Sequence, residues 1–251
     1  MNKKDIHLVL VHGFVFNKTI WHDLAEKLSQ TYTVHLIDLP GYGEQKNVKA
    51  QNLDEIAEQV LKQIPPADKF IWVGWSLGGL VARKLAQQLP ERTQGIITLA
   101  ANPKFIASED WPCAVSYEAF YTLKKLFMRD PKKALTRFIM LQGQDLNISR
   151  PSETFKQYCE SSTLETLLRD LDLLETNDLR VLISQLTTPA LNILGTHDRL
   201  VPVSVLEQLK HLSAHAQNVT IKDAGHALLL SHVTECLTLM DQFINESIIT
   251  Q

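Results

Sequence analysis

The stretch that decides the fold is Gly74-Trp75-Ser76-Leu77-Gly78, which lies between the apolar run 70–73 and the helix-forming run 80–86. This order predicts a strand, a sharp turn and a helix, with a serine at the turn. The two flanking glycines remove the Cβ atoms that would clash where the strand reverses into the helix. Ser76 is therefore a candidate nucleophile, although so short a motif also arises by chance as an ordinary glycine-rich turn.

A serine hydroxyl needs a base and a carboxylate before it can attack, and candidates for both follow downstream. Asp198 comes just after a predicted buried strand at 189–195, and His226 follows the next predicted strand, 218–222. Residues placed beyond successive strands in the order Ser, Asp, His are typical of an α/β-hydrolase. We therefore expect Ser76, Asp198 and His226 to form a catalytic triad.

Two backbone N–H groups are expected to stabilise the negative charge that develops on the substrate carbonyl oxygen. The first is that of Leu77, at the start of the helix after the nucleophile, where N–H groups lack partners and the helix dipole favours an anion. The second is that of Phe14, in the loop after the first predicted strand, 7–11. His12, in the same loop, is interpreted as a structural residue that hydrogen-bonds backbone and holds the loop open.

Strands and helices alternate along the first hundred residues, which predicts an α/β fold with a mostly parallel central sheet and helices on both faces. After the predicted strand at 95–100 the alternation stops, and 102–187 contains only helix-like segments. We interpret 1–101 and 188–251 as an α/β-hydrolase core. The segment 102–187 is interpreted as an all-helical cap, inserted after the sixth-strand position of that fold. Its predicted helices span 117–128, 131–141, 152–159 and 164–175.

Composition is that of a globular domain: 251 residues, 45% hydrophobic and 21% charged, with a formal net charge of −3. The sequence has no apolar run of membrane-spanning length and no secretory signal, so we expect a cytoplasmic protein without a membrane partner. We also expect a monomer. Three scattered cysteines argue against disulfides and zinc, and His211 and His215 lack a third ligand. We expect no metal and no cofactor.

The cap is basic although the chain as a whole is acidic. Between residues 124 and 156, eight basic residues stand against three acidic ones, a local charge of +5 (8 − 3). Such a patch can steer an acidic macromolecule to the site, but solvated lysines on amphipathic helices produce the same pattern. Aromatic residues are not interleaved with the basic ones, so nucleic acid is not expected. The basic residues are Lys124, Lys125, Arg129, Lys132, Lys133, Arg137, Arg150 and Lys156.

A more specific resemblance runs from about residue 7 to the C-terminus. Its motifs are Gly-Trp-Ser-Leu-Gly-Gly-Leu-Val-Ala at 74–82, Asp-Leu-Pro-Gly-Tyr-Gly at 38–43, Leu-Pro-Glu-Arg at 89–92, Asn-Pro-Lys-Phe at 102–105, Asp-Trp-Pro at 110–112 and Arg-Phe-Ile-Met-Leu-Gln at 137–142. In these segments the chain resembles the esterase family of biotin synthesis that hydrolyses pimeloyl-[acyl-carrier protein] methyl ester. The tryptophan before the nucleophile and the Arg-Phe-x-x-Leu-Gln run are more specific than the general hydrolase motifs.

The resemblance implies a serine carboxylesterase that releases methanol from the ester through an acyl-enzyme on Ser76, with the ester-bearing acyl carrier protein as partner. The residues expected to bind substrate are Phe14, Trp75, Ser76, Leu77, Trp111, Phe138, Ile139, Met140, Leu141, Gln142 and His226. For the apolar side chains among them, ordinary core packing stays open as the alternative. The residues expected to dock the carrier protein are Lys133, Arg137 and Arg150, with Lys156 replacing a basic residue of the family at Thr154.

Some positions depart from the family, and other interpretations stay open. Phe14 stands where the family commonly has Trp, and Val15 where it has Gly, which leaves the ester preference undecided. A promiscuous short-chain carboxylesterase or a lyase of menaquinone synthesis would use the same scaffold, but the lyases usually carry Arg at the position of Leu80. A non-enzymatic binding protein is the further alternative. Such relatives often lose a member of the triad, whereas all three residues are present here.

Overall fold

The computed structural model of the chain describes residues 2–66, 69–143, 155, 159 and 162–250. Within them, six strands form one sheet: β1 (His7–Val11), β2 (Thr33–Ile37), β3 (Phe70–Trp75), β4 (Thr93–Leu99), β5 (Ala190–Gly195) and β6 (Ala216–Ile221). Their order across the sheet is β2-β1-β3-β4-β5-β6, and every neighbouring pair is parallel. The predicted α/β fold with a parallel sheet is confirmed.

Ten α-helices surround this sheet in the described part of the chain. They are α1 (His22–Ser29), α2 (Leu53–Leu61), α3 (Leu77–Gln88), α4 (Tyr117–Arg129), α5 (Pro131–Gly143), α6 (Leu164–Thr176), α7 (Arg180–Gln185), α8 (Val205–Leu212), α9 (Leu228–Ser231) and α10 (Val233–Ile244). No described helix is both long enough and apolar enough to cross a lipid bilayer.

The core is built on the central strands. Every residue of β3 is buried, as expected for a strand covered by helices on both faces. Asn52 caps α2, because its side chain accepts a hydrogen bond from the backbone N–H of Glu55. The helix α3 has no such side-chain cap at Ser76, so its first N–H groups stay free for another acceptor.

The segment between β4 and β5 contains no strand among its described residues. Its helices α4, α5 and α6 agree with the predicted helices at 117–128, 131–141 and 164–175. The six-residue helix α7 was not predicted, because six residues are too few for a helical period to be recognised. The helix predicted at 152–159 lies outside the described residues except for residues 155 and 159. The division into core and cap stays a prediction, and we keep the name cap for 102–187.

A buried polar contact ties the cap to the loop after β2. The hydroxyl of Tyr42 donates to Asp170 on α6 at 2.6 Å, and Arg169 donates to the same carboxylate and to the carbonyl oxygens of Pro40 and Ala50. Burial raises the pKa of Asp170, and burial together with Asp170 raises the pKa of Tyr42. The tie holds α6 against the loop that packs beside His12.

Candidate active site

The turn after β3 holds Ser76 in a conformation that few residues adopt, with φ 53° and ψ −119°. The two flanking glycines make this turn possible. A Cβ on Gly74 would lie 2.2 Å from the carbonyl oxygen of Gly78, and one on Gly78 would lie 2.2 Å from that of Val11. The predicted clash within the turn is found for Gly74, whereas Gly78 is needed because the helix passes close to the end of β1. The strained turn leaves the serine hydroxyl at the carboxyl edge of the sheet.

The three residues of the predicted triad lie in one hydrogen-bonded chain. Nε2 of His226 is 3.0 Å from Oγ of Ser76, and Nδ1 of His226 is 2.8 Å from Oδ2 of Asp198. The imidazole and the carboxylate are both buried. Because β3, β5 and β6 run parallel, the loops that follow them meet at one edge of the sheet and bring these residues together. The imidazole can take the serine proton while the carboxylate fixes its orientation.

Asp198 and His226 are themselves held by backbone contacts. Oδ1 of Asp198 accepts hydrogen bonds from the N–H groups of Leu200 at 2.8 Å and Val201 at 2.9 Å, which leaves Oδ2 for the histidine. The indole N–H of Trp75 donates to the carbonyl oxygen of His226 at 2.9 Å. The tryptophan before the nucleophile therefore lies behind the histidine and supports its backbone.

The predicted oxyanion donors lie beside the serine. Phe14 belongs to the loop after β1, and Leu77 begins α3. In the described part of the chain neither N–H group donates to a backbone carbonyl, so both are available to a substrate oxygen. Val15, at the position where the resemblance predicts glycine, has φ 67°, which is unusual for a β-branched residue and shapes this loop.

His12 supports the same loop from within the core. Its Nε2 accepts the N–H of Leu39 at 2.9 Å, and its Nδ1 is 2.8 Å from the carbonyl oxygen of Gly13, so the neutral ring carries its proton on Nδ1. Complete burial lowers the pKa of His12 to about 4. Both contacts agree with the structural role predicted for this histidine.

A large cavity of about 1020 Å³ opens above the serine, a size typical of small-molecule sites. Ser76 and Phe14 line its floor, and helices of the cap form its walls. The apolar wall residues include Phe120, Leu123, Leu126, Phe138, Leu141 and Leu174. The ring of Phe14 packs edge-on against Phe127 and Phe138, with centroid distances of 5.5 and 5.2 Å. The site can therefore hold an extended apolar group beneath the cap.

The sequence matches the alpha/beta hydrolase family over residues 8–237. The chain belongs to that family. Together with the hydrogen-bonded Ser76, His226 and Asp198, this membership makes the protein an enzyme of the serine hydrolase type.

Solved structures of other proteins share the fold. A thermophilic esterase from Thermogutta terrifontis is 20% identical, with a TM-score of 0.78 and coverage of 97% of this chain and 90% of that one. A bromoperoxidase from Bacillus anthracis is 21% identical (TM-score 0.85, coverage 96% and 92%), and an esterase from Exiguobacterium antarcticum is 18% identical (TM-score 0.85, coverage 96% and 92%). At these identities the likeness shows the fold, and the reaction must be argued from the site.

Only some of the substrate-binding residues predicted from the sequence line the cavity of this hydrolase. Phe14, Ser76, Phe138 and Leu141 line it. Leu77 and His226 are buried, and each can reach the substrate through a single polar group, the backbone N–H and the ring Nε2. Of the cap segment 138–142, only the helix face that carries Phe138 and Leu141 lines the cavity.

Several predicted lining residues do not border the cavity. Met140 is 53% exposed, because it lies about 160° around α5 from the inward-facing Phe138 and about 100° from Leu141. Ile139 and Gln142 are buried in packing next to the cavity. Trp75 supports His226 as described above. Trp75, Ile139 and Gln142 are therefore packing residues in this structure, whereas Met140 lies on the surface.

Trp111 also lies outside the lining. Its buried indole N–H donates to Oδ1 of Asn102 at 3.0 Å, and the guanidinium of Arg180 lies 5.2 Å from its ring. A buried indole needs an acceptor for its N–H, and Asn102 supplies it where the cap leaves β4. The tryptophan therefore packs at the base of the cap.

The basic residues of the cap divide into two groups. Lys124 forms ion pairs with Asp172 and Glu175 on α6, so it fastens two cap helices together. Arg137, predicted to dock the carrier protein, borders the cavity, while Lys133 is exposed on the same helix. The predicted docking residues Arg150 and Lys156 lie outside the described residues.

Two features of the cavity were not predicted from the sequence: one of its walls and several of its basic residues. The wall is α4, whose apolar residues recur at helical spacing and were assigned only to a cap helix. Arg129 and Lys125 of α4 and Arg199 after Asp198 also border the cavity, where the sole lining carboxylate among the described residues is that of Glu118. We call Lys125, Arg129, Arg137 and Arg199 the basic rim. Only the folded cap brings these separated residues together.

The cysteines and exposed histidines stay apart from this site. Cys113 and Cys236 are buried and Cys159 is partly buried, all as free thiols. Burial raises the pKa of Cys159 and of Cys236 to about 12, which makes both poor nucleophiles. Among the described residues no group of three or more His, Cys, Asp or Glu side chains could hold a metal ion. His215 lies beyond the end of α8, the helix that contains His211.

Proposed function

We propose that this serine hydrolase is a carboxylesterase. The observation that carries the proposal is the position of the Ser76 hydroxyl, which is hydrogen-bonded to His226 and exposed to a cavity with apolar walls. Such a cavity excludes water from an acyl chain, while the paired imidazole activates the hydroxyl. An ester with a long apolar acyl group fits both features.

The reaction begins when the ester carbonyl oxygen meets the N–H groups of Phe14 and Leu77. Ser76 attacks the carbonyl carbon as Nε2 of His226 takes its proton, and Asp198 stabilises the imidazolium. The tetrahedral intermediate collapses, the C–O bond to the alcohol breaks, and His226 protonates the departing alkoxide. Water deprotonated by His226 then attacks the acyl-enzyme, and Ser76 leaves with the proton.

The substrate that we propose is the methyl ester of a pimeloyl group carried by acyl carrier protein, which gives methanol as the first product. Two features of the site support this choice. The apolar walls suit a chain of methylene groups, and the basic rim, four cations against Glu118, suits an acidic carrier. The motif resemblance at 74–82 and 137–142 points to the same substrate.

The test is a comparison of kcat/KM for methyl pimeloyl-acyl carrier protein and for free methyl pimelate, with methanol release as the readout. We expect the carrier-bound ester to be preferred by at least a hundredfold at low ionic strength, and the preference to shrink as salt screens the rim. Equal kcat/KM values for the two esters, or cleavage of short free esters alone, would favour a promiscuous short-chain carboxylesterase. Either result would exclude acyl carrier protein as a partner. If the enzyme hydrolyses neither class of ester, the proposal of a carboxylesterase is wrong.

A further inference from the structure

A second polar cluster lies between α3 and the sheet, and it shares no residue with the active-site cavity. Thr98 on β4 is the register partner of Asn192 on β5, which is in turn the register partner of Asn218 on β6. These polar side chains form a row across three strands. Arg83 of α3 reaches the row, and its Nη2 lies 3.0 Å from Oδ1 of Asn192 and 3.3 Å from Oγ1 of Thr98.

The hydrogen-bond directions in this cluster follow from the guanidinium. Arginine can only donate, so the atom of Asn192 that faces Arg83 must be Oδ1, which also accepts from Thr98 at 2.7 Å. The amide nitrogen of Asn192 therefore donates to Oδ1 of Asn218, at 2.8 Å. That assignment leaves the amide nitrogen of Asn218 as a donor.

The cluster is left with more donors than acceptors. Nη1 of Arg83 and Nδ2 of Asn218 are both buried, and neither has a hydrogen-bond partner. Arg83 is 3% exposed, and among the described residues no carboxylate forms an ion pair with it. Burial lowers the pKa of Arg83 to about 10, so the guanidinium keeps its charge at neutral pH. A buried charge without a counter-ion is costly.

A small cavity of about 20 Å³ lies at this cluster. Arg83 and Asn192 line it together with the hydroxyl-bearing residues Thr188 and Ser213. Apolar lining residues include Ile183 of α7, Leu186 just after that helix and Leu209 of α8. The volume is enough for one water-sized particle. It is too small for a carboxylate or phosphate group, which has several heavy atoms.

We propose that the small cavity beside Arg83 and Asn192 is a binding site for a single monoatomic anion, chloride in the cell. A chloride ion accepts the hydrogen bond that the unpartnered Nη1 of Arg83 can donate, and it neutralises the buried guanidinium. A water molecule would fit the volume and accept hydrogen bonds but would leave the charge without a counter-ion. The ion would join the nucleophile helix α3 to the strands that precede Asp198 and His226.

The direct test is crystallographic. Crystals of the wild-type protein grown in sodium bromide are measured at the bromine absorption edge, and an anomalous peak at the Arg83 guanidinium is expected. A feature at that position without anomalous signal identifies a water and overturns the proposal. This readout needs no variant, so it stands even if substitutions in the cluster prevent folding.

The second test uses thermal unfolding at constant ionic strength, with sodium chloride replaced by sodium gluconate, whose anion is too large for the cavity. We expect the midpoint of the wild type to rise by roughly 3 °C with chloride or bromide. Arg83→Met should lose the rise, while Lys84→Met, a charge removed from the next residue of the same helix, should keep it. Equal midpoints in both salts for the wild type, or an unchanged rise in Arg83→Met, would contradict the site.

Discussion

At the scale of single residues, the sequence predicts chemistry better than it predicts orientation. Ser76, Asp198 and His226 could be found because each has a distinct chemical role and follows a strand whose end must lie at the same edge of the sheet. Met140 could not be placed correctly, because an apolar residue in a cap helix gives no sign of which face points inward. Arg199 follows Asp198 directly, yet its position at the cavity depends on helices distant in sequence.

Replacement of Asp198 by asparagine should remove the charge that holds the imidazole while keeping the size of the side chain. We expect kcat for ester hydrolysis to fall by about 10⁴-fold, because the amide favours the wrong histidine tautomer and cannot stabilise the imidazolium. Steady-state kinetics measure the loss, and circular dichroism checks the fold. Asp223→Asn is the matched control, since Asp223 is exposed and its φ of 60° suits asparagine. A comparable loss of kcat in both variants would show that the loss in Asp198→Asn is not specific to the triad.

The buried His12 should make the stability of the protein depend on pH. In the unfolded chain His12 takes up a proton near its ordinary pKa of 6.5, whereas in the folded protein burial lowers that pKa to about 4. Between these pH values the unfolded state binds the extra proton. Stability should therefore fall as pH drops from about 6.5 to about 4, by roughly 3 kcal/mol from this residue, and level off below.

Urea unfolding of the wild type and of His12→Asn between pH 7 and pH 4 measures this contribution. The variant should be less stable at pH 7, because it loses the acceptor for the N–H of Leu39, but its stability should change less with pH. His215→Asn, at an exposed histidine, should follow the wild type. A pH dependence of His12→Asn as steep as that of the wild type would assign the effect to other groups.

At the scale of elements, the strands were the most predictable part of the molecule. The central strands contain short apolar runs, and burial on both faces makes that pattern strong, whereas the edge strands β2 and β6 are mostly half-buried or exposed. The helices of the cap were predicted less completely. The period of α4 indicated an amphipathic helix, but whether its apolar face covers the core or a cavity depends on what lies opposite, which no local pattern records.

Gly78→Ala tests the contact between α3 and β1. Alanine at an ordinary helical position stabilises a helix by up to 1 kcal/mol relative to glycine, but here the new Cβ would lie 2.2 Å from the carbonyl oxygen of Val11. We expect a loss of at least about 3 kcal/mol in the free energy of unfolding, or failure to fold. Gly95→Ala is the control, because the nearest neighbour of the new Cβ would be 3.2 Å away, at the flexible end of the Ile248 side chain. Equal stability of the two variants in urea unfolding would contradict this packing.

At the scale of the whole molecule, charge is distributed unevenly. The chain carries a net charge of −3, yet Lys125, Arg129, Arg137 and Arg199 all line one cavity. The basic window could be counted from the sequence. Which cations face the cavity could not, since Lys124 belongs to the same window but is paired with acidic groups of α6. A count of charges does not record the partners that folding supplies.

Arg137→Ala tests the proposed docking of the carrier protein. We expect KM for the carrier-bound ester to rise about tenfold, with KM for free methyl pimelate almost unchanged, because the lost contact is with the carrier. Lys132→Ala, an exposed cation on the same helix outside the cavity lining, should leave both constants near the wild-type values. Parallel increases for carrier-bound and free ester would instead place Arg137 in contact with the acyl chain.

The central claim is that Ser76 is the nucleophile of an esterase. Its most direct measurement is methanol release from methyl pimeloyl-acyl carrier protein by the wild type, by Ser76→Ala and by Ser116→Ala, whose serine lines the same cavity and caps α4. We expect a loss on the order of 10⁶-fold for Ser76→Ala and nearly full activity for Ser116→Ala. If Ser76→Ala hydrolyses the ester at nearly the wild-type rate, Ser76 is not the nucleophile.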